Sequence, residues 1–381
     1  MPGVIQGALT LVTKWTHELP GNGKAYIIVV MDGVFRSYQV GRPRNPMSAT
    51  SLDQLPLAYL RFELETLEAA TVPPYKGDLL RMALLWWLSE FWCPEPTRCR
   101  EGCRRPDICM FGRLCTPAVD PSWSPQVRKL LGDEAPGAYV LWDERDRRTH
   151  LPPGSRWAFT LTLIGDLALR QLPAIVAAVQ QGAEQGMGRV RLRSRVLQVA
   201  AEQPGGQKSS VGIAQQQEHT LVWQSYDQSA VAFGLSEALA WAARRAPAAP
   251  ALQLEFLSPM KFKERGVWVE TPEFVPFFKA LVRRLRILSE VHGGGEWPHK
   301  EWGPLLDAAE AVRLEHHETQ WLGYQRRSQS AGSYEVEGFI GNAWYGGEAL
   351  LTLLPYLWLG QWLHVGKGYV SGNGCYRLRL V

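Results

Sequence analysis

The residues with the clearest chemical meaning lie near the C-terminus, where residues 364–374 read HVGKGYVSGNG. Glycine permits positive φ and lets the backbone approach a ligand closely, so consecutive amide N–H groups can face an anion. The segment therefore predicts a loop that binds a phosphate chain. The predicted contacts are the backbone N–H groups of Gly366, Gly368, Gly372 and Gly374 and the side chains of Lys367 and Arg377.

A second glycine segment halfway along the chain repeats this plan more weakly. Residues 182–193 read GAEQGMGRVRLR, so a glycine-containing stretch again follows a predicted helix and enters a basic segment. Arg189 directly precedes a strand predicted over 190–200, and Arg191 and Arg193 continue the alternation along it, so the three guanidinium groups would form a positively charged row. Two copies of one structural unit are therefore expected.

Five of the six cysteines fall between Cys93 and Cys115, which predicts a metal site or reduced thiols rather than a secreted disulfide framework. The predicted zinc ligands are Cys93, Cys99, Cys103 and Cys109. Zinc sites usually contain a pair of ligands two to four residues apart, and among these four only Cys99 and Cys103 have that spacing. Structural zinc, free reduced cysteines and one disulfide pair therefore all stay open.

The elements that position these residues form two similar units in a chain of 381 residues, which is long enough for two domains. In each unit the hydrophobic pattern predicts the order strand, helix, strand, strand, helix, strand, which is the ferredoxin-like (RRM-like) plan of an α+β fold. The predicted strands of the first unit are 57–64, 138–142, 157–164 and 190–200, and its helices are 78–92 and 166–181. The second unit has strands at 252–257 and 369–380, helices at 271–291 and 347–360, and two middle strands within 313–341. Predicted boundaries are a β extension with linker at 1–50, a first domain at 55–245 with a cysteine-rich insertion at 93–117, and a second domain at 250–381.

The overall composition places few limits on function. A net charge of +4 is too small to indicate nucleic-acid binding by itself, although the arginines cluster locally. Neither a signal segment nor an apolar run near the roughly 20 residues that span a bilayer is evident, so we expect a cytoplasmic protein that does not enter a membrane.

These features resemble the CRISPR-associated Cas-six family, the repeat-processing endoribonucleases of the RAMP superfamily. The resemblance covers about residues 55–381 and rests on Tyr75-Lys76-Gly77-Asp78-Leu79-Leu80-Arg81, the cysteine cluster with 110–114, Phe256-Leu257-Ser258-Pro259, the helix around Arg283, and 338–374. It implies two ferredoxin-like domains with RNA across their cleft, where Arg189, Arg191 and Arg193 of the first domain would read or hold the repeat hairpin. It also implies metal-independent cleavage, in which a 2′-OH attacks the neighbouring phosphate and leaves a 2′,3′-cyclic phosphate.

Such a reaction requires a base, an acid and cationic groups at the phosphate. The candidates are His364, which adjoins the glycine loop, and Tyr75, Lys76 and Arg81, which match positions where relatives place catalytic or phosphate-binding side chains. The predicted first helix lacks the histidine that many relatives use. A non-catalytic RAMP subunit that binds guide RNA is therefore an alternative, and a general single-strand RNA binder is another. The expected partners are CRISPR repeat RNA, its mature product and other Cas proteins of an effector complex, with no cofactor for cleavage.

Overall fold

The computed structural model describes residues 52–93, 109–131, 135–202, 210–217, 220–224, 228–245, 251–293, 295–328 and 332–381. It also describes the backbone of an N-terminal hairpin, β1 (Tyr26–Met31) and β2 (Val34–Gln39), whose strands pair antiparallel within the β extension predicted at 1–50. The rest of that extension lies outside the described residues.

The first unit begins after a 3-10 turn at Leu52–Gln54. Its elements are β3 (Leu57–Thr66), β4 (Ala70–Thr71), α1 (Gly77–Trp92), α2 (Met110–Cys115), α3 (Pro125–Leu131), β5 (Tyr139–Trp142), β6 (His150–Leu151), β7 (Arg156–Ile164), α4 (Asp166–Arg170), α5 (Leu172–Gln185), β8 (Ser194–Glu202), β9 (Ser210–Gln217) and β10 (Thr220–Trp223). Two further helices follow, α6 (Gln228–Val231) and α7 (Leu235–Arg245).

The second unit contains the remaining elements. They are β11 (Ala251–Met260), β12 (Lys263–Glu264), β13 (Val267–Trp268), α8 (Phe274–His292), α9 (His299–Glu310), β14 (Arg313–Ser328), β15 (Gly332–Gly346), α10 (Leu350–Leu363), a 3-10 turn at Tyr369–Ser371 and β16 (Tyr376–Leu380).

Both units have the predicted ferredoxin-like topology. The first sheet has the order β10-β9-β8-β3-β7-β5 and the second has the order β14-β15-β11-β16, and all neighbouring strands are antiparallel. In each sheet the first strand of the unit pairs with the third and the fourth, which is the arrangement that two strand–helix–strand crossovers produce. The α+β class and the tandem plan are therefore confirmed.

Each sheet buries one face under its two helices. In β3 the buried side chains alternate, and Leu60, Phe62 and Leu64 pack toward α1 and α5. The corresponding strand of the second unit, β11, buries Leu252, Leu254 and Phe256 in a separate cluster with α8 and α10. The opposite faces carry the polar side chains, as expected for a sheet covered on one side.

Several element bounds differ from the sequence prediction. Pro173 cannot supply a backbone N–H, and the helix expected at 166–181 divides into α4 and α5, with Pro173 in the first turn of α5. Two strands that were not predicted, β9 and β10, extend the first sheet beyond β8. Helix α9 was missed because Pro304 lies within it, and the last strand begins at Tyr376 rather than at residue 369.

The two units contact each other along several elements. The rings of Tyr59 and Trp362 meet edge to face at 4.7 Å, and His292 of α8 bonds the carbonyl of Pro136 at 2.7 Å. Helix α7 precedes the predicted domain boundary, yet its Trp241 packs in the core of the second unit beside Trp358. None of the described helices combines the length and apolar character needed to cross a bilayer.

Candidate functional site

The glycine-rich segment forms a tight loop between α10 and β16. Glycine is required at Gly366 and Gly374, where φ is 91° and 71°. A Cβ atom at Gly374 would lie 1.8 Å from the carbonyl oxygen of Val365, and one at Gly366 would lie 2.5 Å from that of Lys261. At each of these two glycines the backbone passes a second backbone segment so closely that only a residue without a Cβ atom fits.

Most amide groups of this loop are used within the protein. The N–H of Gly372 donates to the carbonyl of Tyr369 at 3.1 Å, and the N–H of Gly374 donates to that of Pro259, also at 3.1 Å. Both glycines are buried. The predicted phosphate contacts of these two amides do not fit this arrangement, because their hydrogen bonds already stabilise the loop. The loop faces solvent at its tip, where Lys367 is exposed and Gly366 and Gly368 are half-buried.

His364 lies beneath the loop rather than on its surface. Its side chain is buried, and Nδ1 lies 3.1 Å from the carbonyl oxygen of Asn373, to which it donates. Burial lowers the pKa of this imidazole to about 3. The predicted role as a general base does not fit this position, since the ring is shielded from a substrate and fixes the two ends of the loop.

The loop also contacts the first unit. Ser371 donates from its hydroxyl to the Asp78 carboxylate at 2.6 Å, at the N-terminus of α1. On the other side, a Cβ at Gly372 would lie 3.2 Å from the carbonyl oxygen of Leu141 in β5. The glycine-rich loop is thus placed at the junction of the two units by polar and close backbone contacts.

Next to this junction, Tyr75 belongs to a stack of three side chains. Its ring lies parallel to that of Tyr324 with the centroids 3.7 Å apart, and the guanidinium carbon of Arg147 lies 4.3 Å from its centroid. The Tyr324 hydroxyl donates to Asn373 Oδ1 at 3.4 Å, which connects the stack to the glycine-rich loop. We call Tyr75, Arg147 and Tyr324 the tyrosine stack. Sequence analysis missed Tyr324 and Arg147, because each comes from a loop or hairpin distant in the chain.

Lys76 follows Tyr75 but points into the protein. Its side chain is 1% exposed, and Nζ donates to the carbonyls of Asp146 at 2.6 Å and Arg148 at 2.8 Å. Burial lowers the pKa of the ammonium group, while the Asp146 carboxylate counteracts this shift. The predicted catalytic role is therefore inconsistent with the structure, in which Lys76 fixes the loop that carries Arg147.

Arg81 contacts the inner side of the same junction. Burial raises the pKa of the Tyr139 phenol, and the Arg81 guanidinium beside it counteracts part of this shift. Arg284 of α8 is 6% exposed and lies 3.4 Å from the ring centroid of Tyr369 in the loop. The Arg284 guanidinium therefore lies against the glycine-rich loop, where it adds positive potential to the loop surface.

A small hairpin beside the loop gathers three lysines around one indole ring. The Nζ atoms of Lys261, Lys263 and Lys367 lie 4.3, 4.5 and 5.9 Å from the ring centroid of Trp268. Lysine ammonium groups are attracted to the face of an indole within about 6 Å. We call these four residues the Trp268 cluster. The sequence indicated Lys367 alone, because the cation–π geometry depends on how β12 and β13 pair.

The other predicted arginines differ from expectation in their setting. Arg189 and Arg191 lie in a tight turn closed by a bridge between Met187 and Leu192, not on a strand, and Arg191 has a φ of 48°. Arg193 pairs with Glu68 and donates to the carbonyl of Glu184 at 2.9 Å. Arg377 is exposed on β16, opposite Glu255 of β11. Contact of these arginines with RNA stays a prediction.

The predicted zinc ligands fall only partly in the described chain. Cys99 and Cys103 lie outside the described residues. Cys93 and Cys109 are half-buried and form no disulfide within the described part of the chain. The zinc site therefore stays a prediction.

Two family models match the chain. The first, AF_1859_N, is described as an N-terminal domain and matches residues 55–225, and the second is described as CRISPR-associated endoribonuclease Cas6 and matches residues 254–376. The matches coincide with the two ferredoxin-like units. None of the curated proteins matches the chain in sequence.

Among solved structures, the fold is similar to chains of two complexes, "Partial Cas6-RT-Cas1--Cas2 complex" and "Cas6-RT-Cas1--Cas2 complex". Each has a TM-score of 0.51 and 13% sequence identity over 86% of this chain. The chain spans 46% and 29% of the length of these two relatives. Thermus thermophilus Cas6 aligns over 87% of this chain and 100% of its own, with 14% identity and a TM-score of 0.47. The Cas6 model matches the second unit, its glycine-rich loop included, so this part of the chain belongs to the CRISPR-associated Cas6 family.

Proposed function

We propose that this chain is an endoribonuclease that binds CRISPR precursor RNA and cleaves it within the repeats. The observation that carries the proposal is the position of the glycine-rich loop at the junction of the two units, with Lys367 exposed at its tip. The match of the second unit to the Cas6 endoribonuclease model supports this substrate class.

RNA binding would depend on side chains more than on the glycine amides. Lys367 and Lys263 are exposed beside the loop, and the Arg284 guanidinium lies behind it. Phosphate contacts by such cations release bound counterions from RNA, so affinity falls as salt rises. The bases of an RNA stem are hidden in a deep groove, and recognition along a stem would rest on shape and backbone.

The proposed chemistry is attack of a 2′-OH on the adjacent phosphate, without a metal ion. Charge develops on the phosphate oxygens in the transition state, and preorganised cations there lower the barrier. Lys367 can supply that charge, whereas Arg147 of the tyrosine stack already pairs with the Asp143 carboxylate at 3.0 Å. Tyr75 is the group we assign to proton transfer, because its phenol is held in a fixed plane between Arg147 and Tyr324. The products would be a 2′,3′-cyclic phosphate and a free 5′-OH.

A second function, a subunit that binds guide RNA without cutting it, is favoured by the state of His364. Its burial and its lowered pKa remove the histidine nearest to the loop from acid–base chemistry. An enzyme built this way would depend on electrostatic stabilisation, and a binding subunit would require no proton transfer at all.

Incubation of the protein with a repeat RNA in EDTA separates the two functions. Cleavage to a product with a 2′,3′-cyclic phosphate supports the nuclease, whereas intact RNA that stays bound supports the binding subunit. A thermal melt in the same buffer tests whether the fold survives EDTA. This control is necessary because we also propose structural zinc at the cysteine cluster, and EDTA would remove that metal.

Association with other Cas proteins is part of the same proposal. The two solved chains with a similar fold belong to Cas6-RT-Cas1–Cas2 complexes. Co-purification of this chain with Cas proteins encoded beside it would test this partner class.

A further inference from the structure

Two lysines of the Trp268 cluster, Lys263 and Lys367, are available to bind an anion. Lys261 is largely buried and forms an ion pair with Glu337, so its charge is neutralised. Lys263 and Lys367 are exposed, and neither forms an ion pair with a carboxylate in the described part of the chain. Two like charges held near one indole repel each other, and an anion between them would relieve that repulsion.

A second indole lies next to these cations. Trp321 on β14 is 41% exposed, although large aromatic side chains are usually buried. Its Nε1–H donates to Glu337 at 3.2 Å, on the same carboxylate that pairs with Lys261. This hydrogen bond fixes the plane of an exposed ring at one side of the lysines.

We propose that Trp321, Lys263 and Lys367 form a binding site for a short unpaired RNA segment, with a base stacked on Trp321 and phosphates at the two ammonium groups. The site combines the two groups that single-strand binding requires, an aromatic surface and adjacent cations. Trp268 acts as a positioning residue that brings the lysines together. The inference deepens the proposed function and rests on RNA being the ligand.

The site favours single strands over duplexes for a physical reason. A base can stack on an indole only when one of its faces is free, and within a helix both faces are covered by neighbouring base pairs. Trp321 stacking therefore distinguishes an unpaired segment from a stem, whereas the lysines bind phosphate in either form.

Binding of a fluorescein-labelled oligouridine tests the site, with a duplex of equal length as the second probe. Trp321→Ala is expected to lose about tenfold in affinity for oligouridine, with an unchanged salt slope, and to bind the duplex as the wild type does. Trp321→Phe keeps a stacking ring and is expected to recover most of the loss. Lys263→Ala is expected to reduce the slope of log K against log salt by about 0.7, and exposed Lys300→Ala is the matched control with no change.

The outcomes separate this inference from the proposed function. Equal oligouridine binding by wild type and Trp321→Ala, or no oligouridine binding by the wild type, overturns the inference. Oligouridine binding that depends on Trp321, in a protein that leaves repeat RNA uncut, supports the site and refutes the nuclease. Cleavage of repeat RNA with no effect of Trp321→Ala on either probe supports the nuclease and refutes the site.

Discussion

Replacement of His364 by asparagine separates a structural role from a catalytic one. The asparagine amide can occupy the place of Nδ1 and donate to the carbonyl of Asn373, and asparagine tolerates the positive φ of 53° better than most residues. The variant therefore keeps the loop contact but has no titrating ring. We expect RNA affinity and any cleavage activity to stay within about threefold of the wild type.

The same substitution changes the pH dependence of stability, and the sign follows from the pKa. His364 has a pKa of about 3 in the folded protein against an ordinary 6.5, so the unfolded chain binds a proton that the folded protein refuses between these values. Its contribution to stability is complete above pH 6.5 and falls as the pH decreases toward 3. From pH 7 to pH 5 this amounts to about 2 kcal/mol in the free energy of unfolding.

Urea unfolding at pH 7, 6 and 5, followed by tryptophan fluorescence, measures this contribution. His292 is half-buried, and desolvation lowers its pKa to about 4, so the variant should keep the acid sensitivity due to His292 and lose only the part due to His364. A variant with normal affinity and an unchanged pH slope would refute the assignment of the lowered pKa. Loss of cleavage by a hundredfold at normal affinity would restore His364 as a base.

Three further predictions concern the loop, the tyrosine stack and the cysteines. Gly374→Ala should lower the free energy of unfolding by well over 2 kcal/mol, because it adds a clash to the strain at positive φ, whereas Gly154→Ala, at a φ of 78° with open space around it, should cost only about 1 kcal/mol in urea unfolding. Tyr75→Phe should keep the stack on Tyr324 and the RNA affinity while slowing cleavage at least tenfold in single-turnover assays, and full activity would remove the phenol from the mechanism. Purified protein should contain one zinc per chain by elemental analysis and lose it on replacement of Cys99 and Cys103 by serine, and a content clearly below one counts against the site.

The sequence was sufficient for the topology of both units because each core strand carries a regular pattern. Alternation from Leu60 to Leu64 and the apolar face of α8 specify which side of each element is buried, whatever the tertiary partners are. The same kind of alternating pattern gave an incorrect strand prediction at Arg189 and Arg191. Their alternation with Val190 and Leu192 resembles a strand, but the bridge between Met187 and Leu192 closes a turn there.

The chemistry of the site was less predictable, since burial of a polar side chain depends on elements far away in the chain. Lys76 and His364 lie beside predicted loop positions, yet one is enclosed by the loop at Asp146–Arg148 and the other by the backbone of Asn373. The contacts of Trp268 and Tyr324 depend on the strand register of the hairpins that carry them. A local motif cannot encode such pairings.

The distribution of ion pairs further limits where RNA can lie. On the open face of the first sheet Arg61 pairs with Glu63 and Glu144, and between the units Arg145 and Arg379 both pair with Glu255. A phosphate chain across these faces would have to separate existing pairs and approach their carboxylates. Around the glycine-rich loop, by contrast, neither Lys263 nor Lys367 forms such a pair with any of the residues that the structure describes. Electrostatics therefore favours a path over the loop and the hairpin of β12 and β13, and charge reversal at Lys263 should weaken binding far more than charge reversal at Arg379.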